Sequence, residues 1–272
     1  MRKTIKVGCK DFELGKRTYI MGILNVTPDS FSDGGEYDNT MLAVKHAKEM
    51  VEQGADIIDI GGESTRPNHI PVDEKEEISR VIPVIRALVK EIDVPISIDT
   101  YKANVAEAAI LEGASLINDV WGFKKDPRMA EVAAKYGTAC CLMHNRENNV
   151  YNDLMEDILI DLKESIEIAL KAGVGPEKII VDPGIGFAKD YNQNLVVMNK
   201  LEELSTLGYP VLLATSKKSM IGNTLNLPPK DRVEGTIATT VIGIMKNCDF
   251  VRVHDVVENK RACMMTDAIV RK

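Results

Sequence analysis

The sequence predicts an α/β fold that closes as a (β/α)8 TIM barrel with a short N-terminal β-hairpin. Two observations carry this. Eight short, mostly apolar runs alternate with longer stretches of helical period. The 272 residues also match the roughly 250 that one such barrel takes. One domain, 1–272, is therefore expected, with no linker or low-complexity segment.

The elements follow in order. Ile5, Val7, Phe12 and Leu14 do not fit a βα unit and predict a small hairpin that plugs the barrel bottom. Strands are expected at 19–26, 56–60, 96–100, 116–120, 138–143, 179–183, 211–215 and 250–254. Each is apolar nearly throughout, as a strand buried on both faces must be. Between them, Ile78, Val81, Ile82, Ile85, Leu88, Val89 and Ile92 keep the spacing of one helical face, with Pro83 inside it as a kink or first-turn residue. Met155, Ile158, Leu159, Leu162, Ile166, Ala169 and Leu170 form a second such face, ended by Gly173. Leu201, Leu204 and Leu207 are expected to form a third helix, ended by Gly208. Helical crossovers of this length suit parallel strands.

Composition narrows the class. Apolar residues at 44% and charged residues at 28% are ordinary for a globular protein with a full core. A net charge of −7 argues against a broad nucleic-acid surface but allows a local basic pocket for a small anion. No run approaches the roughly 20 apolar residues of a membrane span. The opening MRKTIKVGCKDFEL has no apolar core of the kind a signal peptide carries. The five cysteines form no C-x-x-C pair, which fits free thiols in a reducing cytoplasm. Cys140 and Cys141 read as small core residues of a strand.

A barrel of this type carries its active site where strands end and βα-loops begin. Those places hold Asn25, the segment Gly61–Arg66, Asp99, Asn118, His144, Asp182, Ser216–Ser219, and the pair Arg252 and His254. Polar side chains just beyond apolar strands are costly in a core and sensible around a ligand. An open doubly wound sheet would gather its ligand at one switch point instead. Asn25, Asp29 and Asp33 offer oxygens suited to a hard cation such as Mg2+; an exposed turn with incidental carboxylates is the plain alternative. Asp99, Asn118 and Asp182 suit a heterocycle with several N–H donors, such as a 2-aminopyrimidinone edge. Each could alternatively cap a helix. Lys217 and Lys218 precede Ser219 near a helix start, where an anion or ring carbonyl is welcome. Arg252 and His254 share one strand face and together suit a diphosphate. His144 is second-rank, and His46 and His69 read as surface residues.

These motifs resemble the dihydropteroate synthase family. The matching stretches are GILNVTPDSFSDGG (22–35), DIIDIGGESTRP (56–67), ISIDTYK (96–102), INDVWG (117–122), MH (143–144), DPGIGF (182–187), SKKSMIG (216–222), EGTIA (234–238) and RVHDV (252–256). They run in family order over nearly the whole barrel. The resemblance implies an enzyme that condenses (7,8-dihydropterin-6-yl)methyl diphosphate with 4-aminobenzoate, releases diphosphate and requires Mg2+. It also implies that Asn25 is a metal ligand. Asp99, Asn118, Asp182 and Lys218 would line the pterin pocket, and Arg252, His254 and Thr65 would handle the diphosphate. Thr65, Arg66, Pro67, Phe187, Lys218 and Ser219 would frame 4-aminobenzoate, where sulfonamides compete. Phe31 and Asp33 would lie on a mobile first loop. Asp99, Lys218, Arg252 and His254 would carry catalysis of an SN1-like substitution, and a homodimer is implied, with the apolar helices after the sixth and seventh strands as possible contacts.

The chain departs from the family pattern at Lys217, where arginine is usual, and at Ala214, Ala188 and Asn68, where glycine is usual. Affinity and inhibitor sensitivity are what these changes touch. Two rival readings are a folate-binding methyltransferase acting with a corrinoid protein, and a pterin-binding barrel without activity. The first should lack the TSKKS and GILNVTPDSFSDGG segments, and the second should have lost Asn25, Arg252 and His254.

Overall fold

The structure, a computed structural model, describes residues 4–27, 36–63 and 71–271. Strand β1 (Thr4–Val7) pairs antiparallel with β2 (Lys10–Glu13), in register from Thr4 opposite Glu13 to Val7 opposite Lys10. The barrel strands follow: β3 (Tyr19–Asn25), β4 (Ile57–Gly61), β5 (Ile96–Asp99), β6 (Leu116–Asp119), β7 (Ala139–Met143), β8 (Ile179–Asp182), β9 (Leu212–Leu213) and β10 (Phe250–Val253). They form one parallel sheet in the order β8-β7-β6-β5-β4-β3-β10-β9. A single parallel bridge between Val181 and Val211, with Val181 N–H donating to the Pro210 carbonyl at 3.0 Å, joins the two ends. The eight expected strands are all present. The seventh differs most, because β9 keeps only two of its five predicted residues.

The helices around this barrel are α1 (Glu36–Glu52), α2 (Glu74–Leu88), α3 (Ala103–Leu111), α4 (Arg128–Tyr136), α5 (Leu154–Ala172), α6 (Tyr191–Asn199), α7 (Ser219–Leu225), α8 (Val233–Met245) and α9 (Val256–Val270). Their starts are capped as short polar side chains dictate. The Asp73 carboxylate accepts from Lys75 N–H at 2.9 Å to open α2, and Asp153 accepts from Met155 and Glu156 to open α5. Gly173 ends α5 at φ 101°, a conformation that favours glycine. Pro83 sits well inside α2, in neither its first nor its last turn. Residues Leu201–Leu207, expected to be α-helical, form a 3-10 helix. Leucines spaced by three eclipse one another at three residues per turn, which suits that tighter coil.

Two apolar layers hold the molecule together. Ile20, Leu24, Ile58, Ile60, Ile98, Ile117, Cys140, Leu142, Val181 and Val251 point outward and pack against the helices. Their strand neighbours Tyr19, Met21, Ile57, Leu116, Ala139, Cys141, Ile180, Leu212 and Phe250 point inward, together with Ile5, Val7 and Phe12 of the hairpin. Phe12 meets the edge of Tyr19 at 4.9 Å between centroids and lies 5.7 Å from Phe250. The hairpin therefore stops the end where the barrel strands begin. Side chains alternate along a strand, so the inward set continues upward. Above Ile57 comes Asp59, above Leu116 comes Asn118, above Ile180 comes Asp182 and above Phe250 comes Arg252. The interior thus passes from an apolar floor to a charged upper layer. No helix among the described residues is long and apolar enough to cross a membrane.

Candidate active site

The charged layer is built around Arg252. Its Nε donates to Asp59 Oδ2 and its Nη2 to Asp99 Oδ2, each at 2.6 Å. Asn118 Nδ2 donates to the same Asp59 oxygen at 3.0 Å. Asp59 is wholly buried and Asp99 is 3% exposed. One guanidinium between two carboxylates satisfies the demand that buried charge be paired. It does not satisfy every atom: Asp59 Oδ1, Asp99 Oδ1 and Ser97 Oγ are buried without a hydrogen-bond partner among the described residues. Orphaned acceptors at this density are uncommon in a plain core and point to a missing donor-bearing ligand. Burial pushes the Asp99 carboxyl up to about 7, against the pull of Arg252, and the Asp59 charge adds to the rise.

Asp182 ends β8 and accepts from Gly184 N–H at 2.7 Å. Burial raises its pKa, and the Lys218 ammonium opposes the rise. Lys218 comes from the other side of the barrel seam, just before α7. Its Nζ donates to the Ile185 carbonyl and sits 4.5 Å from the Phe187 ring centroid. Burial draws this lysine down to about 8. Three carboxylates and two cations, Asp59, Asp99, Asp182, Arg252 and Lys218, thereby share one mouth.

His254 lies one residue beyond β10, where its Nδ1 and its backbone N–H both meet Ser216 Oγ, at 2.9 and 3.2 Å. Lys217 turns away from this centre to Asp255 at 2.9 Å, with its backbone at φ 59°. Arg232, one residue before α8, donates to the Lys217 carbonyl at 2.8 Å and to the Leu227 carbonyl at 2.9 Å, which fixes the lysine-bearing loop from below. Ser219 opens α7 and is exposed. Asn25 ends β3, half-buried, in register with Gly61. Thr65, Arg66, Pro67, Phe31 and Asp33 lie outside the described residues. His144 is fully buried beneath the loops and does not line the mouth.

The structure therefore brings together Asp99, Asn118, Asp182, Lys218 and Arg252, all named from sequence. It adds Asp59, which sequence reasoning absorbed into an apolar strand. A carboxylate within DIIDI was the available signal, because an aspartate in a strand buried on both faces must face a partner or a ligand. Lys189, with its His144 and Asp161 neighbours, was also missed. Among the described residues no three His, Cys, Asp or Glu side chains gather as a metal cage. Asn25 offers a neutral oxygen at the end of β3, which fits a magnesium ion bound mainly through substrate oxygens and water.

A parallel barrel whose upper interior offers acceptors to a flat N–H-rich ring, beside cations for an anion, defines a pterin-binding enzyme. Residues 21–254 match the family model described as pterin binding enzyme, and the chain belongs to that family. Relatives within it include dihydropteroate synthases. The enzyme of that name from Clostridium beijerinckii is 66% identical over 269 residues, 98% of this chain and all of that one. The crystal structure of dihydropteroate synthase from Clostridium difficile in the presence of pteroic acid superposes with a TM-score of 0.94 at 60% identity, over 96% of this chain and 100% of that chain. The Xanthomonas albilineans dihydropteroate synthase with 4-aminobenzoic acid gives a TM-score of 0.94 at 36% identity, over 99% and 98%.

Removing Arg252 leaves two buried carboxylates without their cation. Arg252→Met is expected to lose about 3 kcal/mol of stability, read as a lowered denaturant midpoint. Adding Asp59→Asn and Asp99→Asn should restore most of that loss. A single variant as stable as the parent would show that the guanidinium is not the counter-charge of this layer.

Proposed function

We propose that this chain is a dihydropteroate synthase, joining (7,8-dihydropterin-6-yl)methyl diphosphate to 4-aminobenzoate with release of diphosphate. The observation that carries the reading is the set of orphaned acceptors, Asp59 Oδ1 and Asp99 Oδ1, beside Asn118, Asp182 and Lys218. A 2-amino-4-oxo pterin offers adjacent N–H donors to a carboxylate and a carbonyl to a lysine. Relatives of the identity given above, over nearly the whole chain, decide against the corrinoid-dependent methyltransferase reading.

In this mechanism Asp99, Asn118, Asp182 and Lys218 hold and orient the ring. Arg252 and His254 face the diphosphate, together with Thr65. Arg252 has five N–H groups and gives two to Asp59 and Asp99. The C–O bond to diphosphate breaks first, the electron pair leaving with the diphosphate. The cation left at the pterin methylene is stabilised by the nearby Asp99 carboxylate. The aromatic amine then forms the C–N bond and releases a proton to solvent. It is nucleophilic while neutral, so no strong base is required. Asn25 would hold a magnesium ion, which supplies charge neutralisation to the leaving group. Thr65, Arg66, Pro67, Phe187 and Ser219 frame 4-aminobenzoate, and sulfonamides compete there. Phe31 and Asp33 complete that second site from the first loop.

One domain spans 1–272, and a cytoplasmic location fits five free cysteines, four of them buried. A homodimer fits the surface of α8 and α9. Ile242, Met245, Met264, Met265 and Ile269 are all exposed on this neighbouring pair, Met264 and Met265 by more than 60%. An apolar patch of that kind is seldom left to water. α8 follows the seventh barrel strand, one of the two the sequence pointed to, and α9 follows the eighth.

The deciding measurement is diphosphate release with Mg2+, with and without 4-aminobenzoate. Release that depends on 4-aminobenzoate, with dihydropteroate formed, is expected; pterin binding without product would overturn the reading. Lys218 is protonated below about 8 and loses its charge above it. Burial and Arg252 oppose the charged form and Asp182 and Asp99 favour it, so kcat/KM for the pterin substrate should fall on the alkaline side near that value. Lys218→Arg keeps its charge and should remove the fall. Met264→Glu with Met265→Glu should give a monomer by light scattering where the parent gives a dimer.

A further inference from the structure

The loop after β8 is held largely by side chains. Its carbonyls are taken one after another: Gly184 and Phe187 by Lys189 at 3.0 and 3.1 Å, Ile185 by Lys218, and Ala188 by the Tyr151 hydroxyl at 2.6 Å. Gly184 at φ 69° and Ala188 at φ 46° show how sharply the chain turns to offer them. A side chain on Gly184 would collide with the His144 carbonyl, so the loop also rests directly on the end of β7.

Lys189 is the centre of this arrangement. Its third donor meets His144 Nδ1 at 2.8 Å. An ammonium has three N–H groups, and here all three end on acceptors. Nε2 faces the Asp161 carboxylate at 3.0 Å, which can only accept, so the proton of the neutral imidazole sits on Nε2 and Nδ1 accepts from Lys189. Burial holds His144 neutral, down to about 4. Asp161 is fixed in turn by Arg146 Nε. A line of partners therefore runs from α5 through the fully buried imidazole to two carbonyls of the loop. The Phe187 ring, carried by the same loop, lies 4.5 Å from Lys218 Nζ.

We infer that Lys189, braced by His144 and Asp161, is a positioning residue that sets the Phe187 ring for the aromatic amine substrate. It touches no substrate, because its three donors end on the protein. The inference rests on the reading that 4-aminobenzoate lies against Phe187. Asp182 stays anchored by Gly184 N–H and faces Lys218, so the pterin side is less exposed to the loss.

Equilibrium binding to Lys189→Met tests it, in a buffer below the value of about 7 to which burial draws the Lys189 ammonium. The affinity for 4-aminobenzoate, measured with Mg2+ and diphosphate present, is expected to fall about tenfold, or about 1.4 kcal/mol. The affinity for the dihydropterin diphosphate should change by less than about threefold, under 1 kcal/mol. A general structural role would lower the melting temperature without that split. Equal loss on both substrates, or none on 4-aminobenzoate, would overturn the inference. Lys189→Gln, which keeps a polar head, should fold where the methionine variant does not and show the same split at smaller size; unchanged 4-aminobenzoate affinity there also overturns it. Binding does not need turnover. A parent protein that binds both substrates without making product would sink the synthase reading and leave this comparison standing.

Discussion

One guanidinium held between two carboxylates inside a barrel is the constraint on which the upper half of this molecule depends. A (β/α)8 interior is ordinarily filled with branched apolar side chains. Here Tyr19, Met21, Ile57, Leu116, Ile180 and Phe250 fill the lower part in that way, with Phe12 of the hairpin beneath them. Arg252, Asp59 and Asp99 then replace hydrocarbon with charge. Such a layer is tolerable only when each charge has a partner, because an isolated ion in that medium costs several kcal/mol. The apolar floor bears the stability, and the charged layer is kept for its chemistry.

The second consequence of burial is on proton equilibria. Burial raises Asp99 and Asp182 and lowers Lys218. Acids and bases are thereby drawn toward neutrality from opposite sides. A neutral donor-rich ring entering the pocket relieves the orphaned acceptors, while the remaining N–H groups of Arg252 are left for an anion beside it. The pocket is thus matched to a substrate that carries both features on one molecule.

Much of this was legible in the sequence, for a physical reason. A strand buried on both faces is written as an apolar run, and the polar residue that ends it stands out. Asn25, Asp99, Asn118 and Asp182 were found in this way. Asp59 was not, because it lies within its run and its inward direction follows only from the register that sets Asp59 opposite Ser97. Lys189 was hidden for another reason. It sits outside any strand, and its meaning comes from His144, 45 positions earlier. The leucine triplet at Leu201–Leu207 was read with the wrong turn because three leucines constrain a face and leave the pitch open. The reach of Lys217 toward Asp255 depends on a backbone at positive φ, which no residue pattern announced.

The seam between β8 and β9 is the thinnest join of the barrel. The other neighbouring strands of the barrel share runs of paired residues, whereas these two meet at one bridge. Local opening is easiest where fewest backbone bonds must be given up. Amide hydrogens along this seam are thus guarded by less free energy than those between β3 and β4, and they exchange with solvent sooner. The loops carrying Phe187 and Lys218 leave from the two sides of that seam.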